Sequence, residues 1–145
     1  MIVFDTQPVS QLQRAGSRDV ERLEQRLQHL PVGEVWITVI TPIEQLREPL
    51  GNINSERDPA KQVPYFAEFL KLLDHYFRWW TGRILPFDEK AAATYSSFSP
   101  RLIRKIGWRD AHIAAIALSQ GATLVTANKS DFEQVPGLNV EDWLV

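Results

Sequence analysis

Short apolar runs alternate along this chain with longer stretches whose apolar residues recur at helical spacing. Ile2–Phe4 is apolar throughout, and residues 35–40 are β-branched or aromatic, which is typical of strands covered on both faces of a parallel sheet. The segment that begins at Ser17 and extends to about His29 places apolar side chains on one face, as an amphipathic helix does. This alternation predicts a three-layer α/β/α fold with a mainly parallel sheet.

Carboxylates follow the ends of the expected strands. Residues 107–118 have almost no polar face and predict a buried helix, yet Asp110 lies at its start. The short strand after that helix leads to Asp131, Asp5 directly follows the first strand, and Glu44 closely follows the second. Since ligand sites in open α/β sheets form outside the carboxyl ends of the strands, we expect these four carboxylates at one edge.

Two of these acids have a second interpretation as helix caps. Asp5 and Thr6 precede a proline, which is good N-cap chemistry. Thr41, Pro42 and Glu44 fit a capping box with threonine as the N-cap and proline at the first helical position. A cap in the first turn of a helix also lies at the sheet edge, so the two roles are compatible.

Size and composition are those of one globular domain spanning residues 1–145, with 44% apolar and 23% charged residues. Cysteine is absent, which excludes disulfides, zinc–thiolate sites and cysteine nucleophiles. No apolar run reaches membrane-spanning length, and no signal sequence opens the chain. We therefore expect a soluble cytoplasmic protein that does not contact membranes.

The four carboxylates favour metal chemistry. Crowded carboxylates repel one another, and a hard divalent cation such as Mg²⁺ or Mn²⁺ removes that repulsion. Such a site can orient a water molecule for in-line attack on a phosphodiester. The sequence contains no Gly-x-Ser-x-Gly elbow, Walker loop or dinucleotide-binding glycine motif. The histidines lack the spacing of a metal site, although His112 lies close to Asp110.

Charge is distributed unevenly along the chain. A net charge of −2 argues against a broad, non-specific grip on nucleic acid. Four cations nevertheless occur within nine residues, and we call them the basic run: Arg101, Arg104, Lys105 and Arg109. Such a run is either a solvated face or a surface that steers a polyanion to the acidic edge.

A long helix is expected over residues 58–80, and it carries more apolar surface than one core contact requires. Core packing between helices and a self-association surface both explain that excess, because aromatic side chains are enriched at interface centres. We therefore expect a homodimer. The side chains in question are Tyr65, Phe66, Phe69, Leu70, Leu72, Leu73, Tyr76, Phe77, Trp79 and Trp80.

Four segments together resemble the PIN-domain nucleases, in the branch of VapC-like toxins. Residues 2–6 resemble the first strand of that family with its metal-binding aspartate, and residues 41–44 its Thr-x-x-Glu segment. Residues 110–115 match Asp-x-x-Ile-Ala-Ala, and residues 126–132 match Thr-x-Asn-x-x-Asp-Phe. The resemblance covers nearly the whole chain, and its last two motifs are quite specific in spacing and order.

The resemblance implies an endoribonuclease dependent on Mg²⁺ or Mn²⁺ that cuts single-stranded or structured RNA. It also implies homodimerisation and an antitoxin partner, and it strengthens the basic run as a contact to the RNA backbone. Many family members have Asn or Asp where this chain has Gln7. By the same resemblance the catalytic and metal-binding residues are Asp5, Glu44, Asp110 and Asp131, and the supporting residues are Thr6, Thr126 and Asn128.

Two rival functions use similar features. A PIN-like interaction module without catalysis would share the fold, although four intact acids argue against it. A phosphoryl receiver also gathers acids and Mg²⁺ at strand ends, but it needs an acceptor aspartate after a central strand and a lysine after a later one. Here Thr41 follows residues 35–40, and Lys129 lies within a loop after Asn128.

Overall fold

Five strands form one parallel sheet in a computed structural model that describes residues 1–14, 16, 18–31 and 33–145. The order is β3-β2-β1-β4-β5, and all four pairings are parallel, as the alternating sequence pattern predicted. Asp5 therefore follows the central strand. The strands are β1 (Ile2–Phe4), β2 (Val35–Thr38), β3 (Ile84–Leu85), β4 (Thr123–Val125) and β5 (Asn139–Glu141).

Helices connect and cover these strands. The predicted first residue of the second helix, Ser17, lies outside the described residues. In the described part of the chain no helix is long and apolar enough to cross a membrane. The helices are α1 (Thr6–Leu12), α2 (Arg18–Leu27), α3 (Ile40–Ser55), α4 (Pro59–Trp79), α5 (Glu89–Ser97), α6 (Pro100–Ile106), α7 (Trp108–Ser119) and α8 (Lys129–Phe132).

Successive residues of the central strand enter opposite layers, as the period of a strand requires. Val3 packs in the apolar cluster that contains α7, whereas Phe4 packs in a second cluster with Val9 and Leu23. Trp143 joins the second cluster, with its ring edge against Phe4 at a centroid distance of 5.5 Å. The sheet is therefore the middle of three layers, as predicted.

Helix α7 lies in the core, and this explains its lack of a polar face. Seven of its twelve residues are buried, four of them alanines that allow close packing. Gly107 precedes it with a φ of 91°, a conformation that L side chains rarely adopt. A helix held this firmly brings Asp110, in its first turn, to the carboxyl edge of the sheet.

The two predicted caps have different outcomes. Asp5 is the N-cap of α1, and its Oδ1 accepts a hydrogen bond from the backbone N–H of Thr6 at 2.8 Å. The capping box at Thr41 is wrong, because the first residue of α3 is Ile40, two residues before the predicted Pro42, and the helix has no side-chain cap. The hydroxyl of Thr38 accepts the N–H of Ile40 at 3.2 Å, so the turn from strand to helix closes before Thr41 is reached.

The apolar excess on α4 divides between core and surface. Tyr76 and Trp80 are buried in the same apolar cluster as Phe4, and α3 packs along α4. Phe66, Leu70 and Trp79 are more than half exposed. Core packing therefore explains only part of the pattern, and an apolar surface remains.

Candidate active site

Asp5 is the most firmly held of the four carboxylates. It is 9% exposed, and each of its oxygens accepts a hydrogen bond: Oδ1 from the backbone of Thr6, and Oδ2 from the hydroxyl of Thr126 at 2.7 Å. Thr126 follows the neighbouring strand β4 and is itself fully buried. The parallel pairing of β1 with β4 thus fixes the orientation of this carboxylate.

Asn128 connects the other side of the site. Its Nδ2 donates to Oδ2 of Asp131 at 2.9 Å and more weakly to Oδ2 of Asp110 at 3.4 Å. Its backbone N–H donates to the hydroxyl of Thr126 at 3.0 Å. The two supporting residues of the Thr-x-Asn segment therefore hold three acids through one chain of hydrogen bonds.

Burial and mutual repulsion raise the pKa of three carboxyls. For Asp110, burial first and the charge of Asp5 second raise the pKa from 3.8 to about 6, against the stabilising amide of Asn128. Burial also raises the pKa of Glu44, with the charges of Asp5 and Asp110 adding to the effect. Burial raises the pKa of Asp5 as well, while its hydrogen bonds with Thr126 and Thr6 oppose that rise. The charge of Asp5 thus acts on both Glu44 and Asp110, and we treat the three carboxyls as one electrostatic unit.

Asp131 lies at the margin of this unit. Its charge is the smallest of the influences that raise the pKa of Asp110, and its main contact is the amide of Asn128. An open cleft of about 400 Å³ is lined by Asp5, Glu44 and Asp110 but not by Asp131. We call this the acid cleft.

One wall of the acid cleft was not recognised from sequence. Helix α1 supplies Gln7, Ser10 and Gln11 to the lining, and Arg14 joins them from just beyond the end of the helix. The three helical positions follow the spacing i, i+3, i+4 of a single helix face. The family resemblance drew attention to Gln7, but no motif in the sequence pointed to Ser10, Gln11 or Arg14.

A second omission is Thr41, which was assigned to the cap. Its side chain is fully buried, and its hydroxyl lies 3.2 Å from the hydroxyl of Thr6. Thr6 also forms a side-chain hydrogen bond that lowers the pKa of Glu44. The pair of threonines therefore joins α1 to α3 directly beside the acids.

The basic run is not one surface. Arg101, Arg104 and Lys105 are exposed on α6, whereas Arg109 belongs to α7 and is half-buried. The guanidinium of Arg109 lies 5.1 Å from the ring centre of Trp108, and its charge lowers the pKa of Glu44. Its Nε is buried and has no hydrogen-bond partner among the described residues. Arg109 therefore acts electrostatically on the acids without lining the cleft, and the other three cations do neither.

His112 takes no part in the cleft lining. Its ring packs against Tyr95 and Phe87, at centroid distances of 4.4 and 4.7 Å. Its Nδ1 makes a hydrogen bond with the carbonyl of Trp108, one turn earlier on α7. This placement agrees with packing at the helix surface.

The donor set fits a hard divalent cation. Mg²⁺ and Mn²⁺ prefer carboxylate oxygens as ligands. Repulsion from neighbouring carboxylates contributes to the raised pKa values of Glu44 and Asp110, and a bound cation relieves that repulsion. Among residues 1–14, 16, 18–31 and 33–145, no three acidic, histidine or cysteine side chains already surround one point as a metal site. Mg²⁺ is commonly bound through one or two carboxylates and several waters, which suits this arrangement.

Comparison with known proteins finds relatives over most of the chain. Ribonuclease VapC2 of Haemophilus influenzae is 33% identical over 89 residues, which cover 59% of this chain and 61% of that protein. Toxin FitB of Neisseria gonorrhoeae is 30% identical over 142 residues, 91% of each chain. The solved structure of FitAB bound to an IR36 DNA fragment has a TM-score of 0.65 at 26% identity, covering 100% of this chain and 96% of that one.

The family model described as the PIN domain matches residues 2–138, a range that includes all four acids. The match and the 3-2-1-4-5 strand order around Asp5 remove the receiver-like interpretation. The chain belongs to the PIN domain family.

Proposed function

We propose that this protein is a metal-dependent endoribonuclease and the toxin of a toxin–antitoxin pair. The observation that carries the proposal is the acid cleft, in which burial raises the pKa of Asp5, Glu44 and Asp110 at the carboxyl edge of the sheet, and the charge of Asp5 raises the pKa of the other two further. The kinship with ribonuclease VapC2 and toxin FitB supplies the reaction class.

In this proposal Asp5, Glu44 and Asp110 hold Mg²⁺ or Mn²⁺, and Asp131 contributes from the margin through Asn128. When bound, such an ion would supply positive charge next to the scissile phosphate and would favour a water molecule positioned for attack. Thr126 and Thr6 keep Asp5 fixed, so that little reorganisation of the protein accompanies the reaction.

The basic run has two roles in the proposal. Arg109 lies close enough to the acids for its charge to lower the pKa of Glu44, and its positive charge favours an RNA phosphate at the cleft. Arg101, Arg104 and Lys105 lie outside the cleft and attract RNA at longer range.

Two protein partners belong to the proposal. The FitAB structure supports an antitoxin that binds this chain. A homodimer is supported by exposed apolar side chains on the paired helices α3 and α4. The exposed side chains are Ile43, Leu50, Val63, Phe66 and Leu70.

The test is cleavage of a total RNA pool by the purified protein with Mg²⁺, Mn²⁺ or EDTA. Discrete bands that require metal support the proposal. The melting temperature provides a readout independent of activity, because an ion that binds only the folded state stabilises it. If millimolar metal does not change the melting curve and no condition gives cleavage, the proposal is wrong. The protein would then be a PIN-like interaction module without catalysis.

A further inference from the structure

A groove leads away from the acid cleft over the surface of α1 and α4. Arg14 lines both the cleft and this groove, so the two cavities adjoin at its side chain. The groove has a volume of about 520 Å³ and is also lined by Gln13, Glu68, Lys71 and His75. His75 in turn lines a third cavity, of about 310 Å³, together with Trp79.

We call the groove and the third cavity together the path. The residues Lys71, His75 and Trp79, which α4 contributes to the path, lie along one stripe of the helix. Lys71, His75 and Trp79 are spaced at i, i+4 and i+8, and the stripe from the lysine to the tryptophan is about 12 Å long at the helical rise. The ring of His75 accepts a hydrogen bond from the indole of Trp80 at 3.2 Å, which fixes the middle of the stripe. Trp79 is 61% exposed.

The charges of the path are available to a ligand. Neither Arg14 nor Lys71 forms a salt bridge within the described part of the chain. One carboxylate, Glu68, also lines the groove, so two cations face one anion. Cations followed by an exposed aromatic ring are the combination with which proteins bind single-stranded nucleic acid.

We propose that a single RNA strand next to the scissile phosphate lies in this groove, with Arg14 and Lys71 at its phosphates and Trp79 stacked on an unpaired base. This inference rests on the proposed ribonuclease function. Paired bases in an A-form helix do not present their faces to a side chain, so the groove selects RNA that is unpaired on one side of the cut. An antitoxin segment is the competing occupant.

The experiment measures binding of a short single-stranded RNA to the Asp110→Asn protein over a series of salt concentrations. Arg14→Ala and Lys71→Ala, each made in that background, should weaken binding and lower the slope of log Kd against log salt by about 1. Lys61→Ala is the matched control, since Lys61 is exposed on α4 outside the groove. Slopes that stay at the parent value in both groove variants would overturn the inference.

The aromatic end of the path is tested separately. Trp79→Ala should weaken binding of the single strand about tenfold, and Trp79→Phe should retain most of the affinity, because any aromatic face can stack on a base. Phe77→Ala is the control, since Phe77 is as exposed but lines none of the three cavities. An equal loss for a fully paired RNA would contradict stacking on an unpaired base.

The outcomes separate this inference from the proposed function. If the unmodified protein cleaves RNA and the groove variants bind like their parent, the ribonuclease stands and the groove inference falls. If neither the unmodified protein cleaves RNA nor the Asp110→Asn protein binds it, both fall. If the groove variants bind RNA normally but no longer bind a co-expressed antitoxin, the occupant of the groove is the antitoxin. That result would overturn the inference that an RNA strand lies there.

Discussion

Two charged regions of the molecule are built in different ways. In the acid cleft, hydrogen-bond donors hold the charges: the buried Thr126 donates to Asp5, and the partly buried Asn128 donates to Asp110. On α6 the cations of the basic run are exposed, and no salt bridge in the described part of the chain includes them. One region fixes each carboxylate in place, whereas the other leaves its side chains free.

The difference shows how strongly each region points to a function. Half-buried carboxylates with raised pKa values reduce folding stability, so a chain that keeps them with dedicated donors has a use for them. Exposed cations cost almost nothing and are equally consistent with a solvated face. The basic run itself contains this difference, because Arg109 is the member whose charge lowers the pKa of Glu44.

The largest effect is expected from removing one charge of the acid cleft. Asp110→Asn should abolish RNA cleavage while the protein still folds, because the amide keeps the shape but loses an anionic ligand. Gel assays of cleavage with Mg²⁺, beside circular dichroism of the variant, make the measurement. A folded variant that cleaves at the original rate would remove Asp110 from the mechanism.

A smaller effect is expected from the donor behind Asp5. Thr126→Val removes the hydroxyl that donates to Asp5 and accepts from Asn128, and it should lower activity about 10- to 100-fold. Since that hydrogen bond lowers the pKa of Asp5, the acidic limb of the pH profile should move to higher pH.

The control for this change is Thr126→Ser, which restores the hydroxyl. It should recover most of the activity and the original pH profile. Equal losses in the valine and serine variants would mean that packing, and not the hydrogen bond, explains the effect.

The repulsion in the acid cleft should also appear in folding stability when metal is absent. Between pH 3.8 and about 6 the folded protein keeps a proton on Asp110 that the unfolded chain releases, so stability should fall as pH rises through that window. Because the carboxyl is half-exposed and screened, we expect Asp110 to account for about 1 kcal/mol of the fall. Denaturant unfolding in EDTA at several pH values measures it, and Asp110→Asn should flatten the profile.

The smallest effect is expected on α6. Replacing Arg104 and Lys105 with alanine should weaken RNA binding about twofold at low salt and hardly at all at physiological salt, where the Debye length is about 8 Å. The slope against salt should flatten accordingly. A loss as large as that from Arg14→Ala or Lys71→Ala would mean that α6 contacts the RNA directly.

Local patterns predicted the parts of the site that depend on neighbours in sequence. Asp5 follows an apolar strand and caps the helix after it, as expected from its position before Thr6. The capping box at Thr41 failed because the helix begins two residues earlier than the local pattern indicates. A local pattern thus identifies the chemistry of a turn but not the residue at which the turn closes.

Hydrophobic periodicity in the sequence determined the three layers and the parallel sheet, because an apolar strand or helix has to be covered on the faces it presents. Tertiary structure alone decided which polar side chains share a cleft. Arg14 and Asp110 are far apart in the chain, and Arg109 and Lys105 are close, yet it is the first pair that lines one cavity. The reason is that helix direction and strand order fix distances in space, and a linear pattern contains neither.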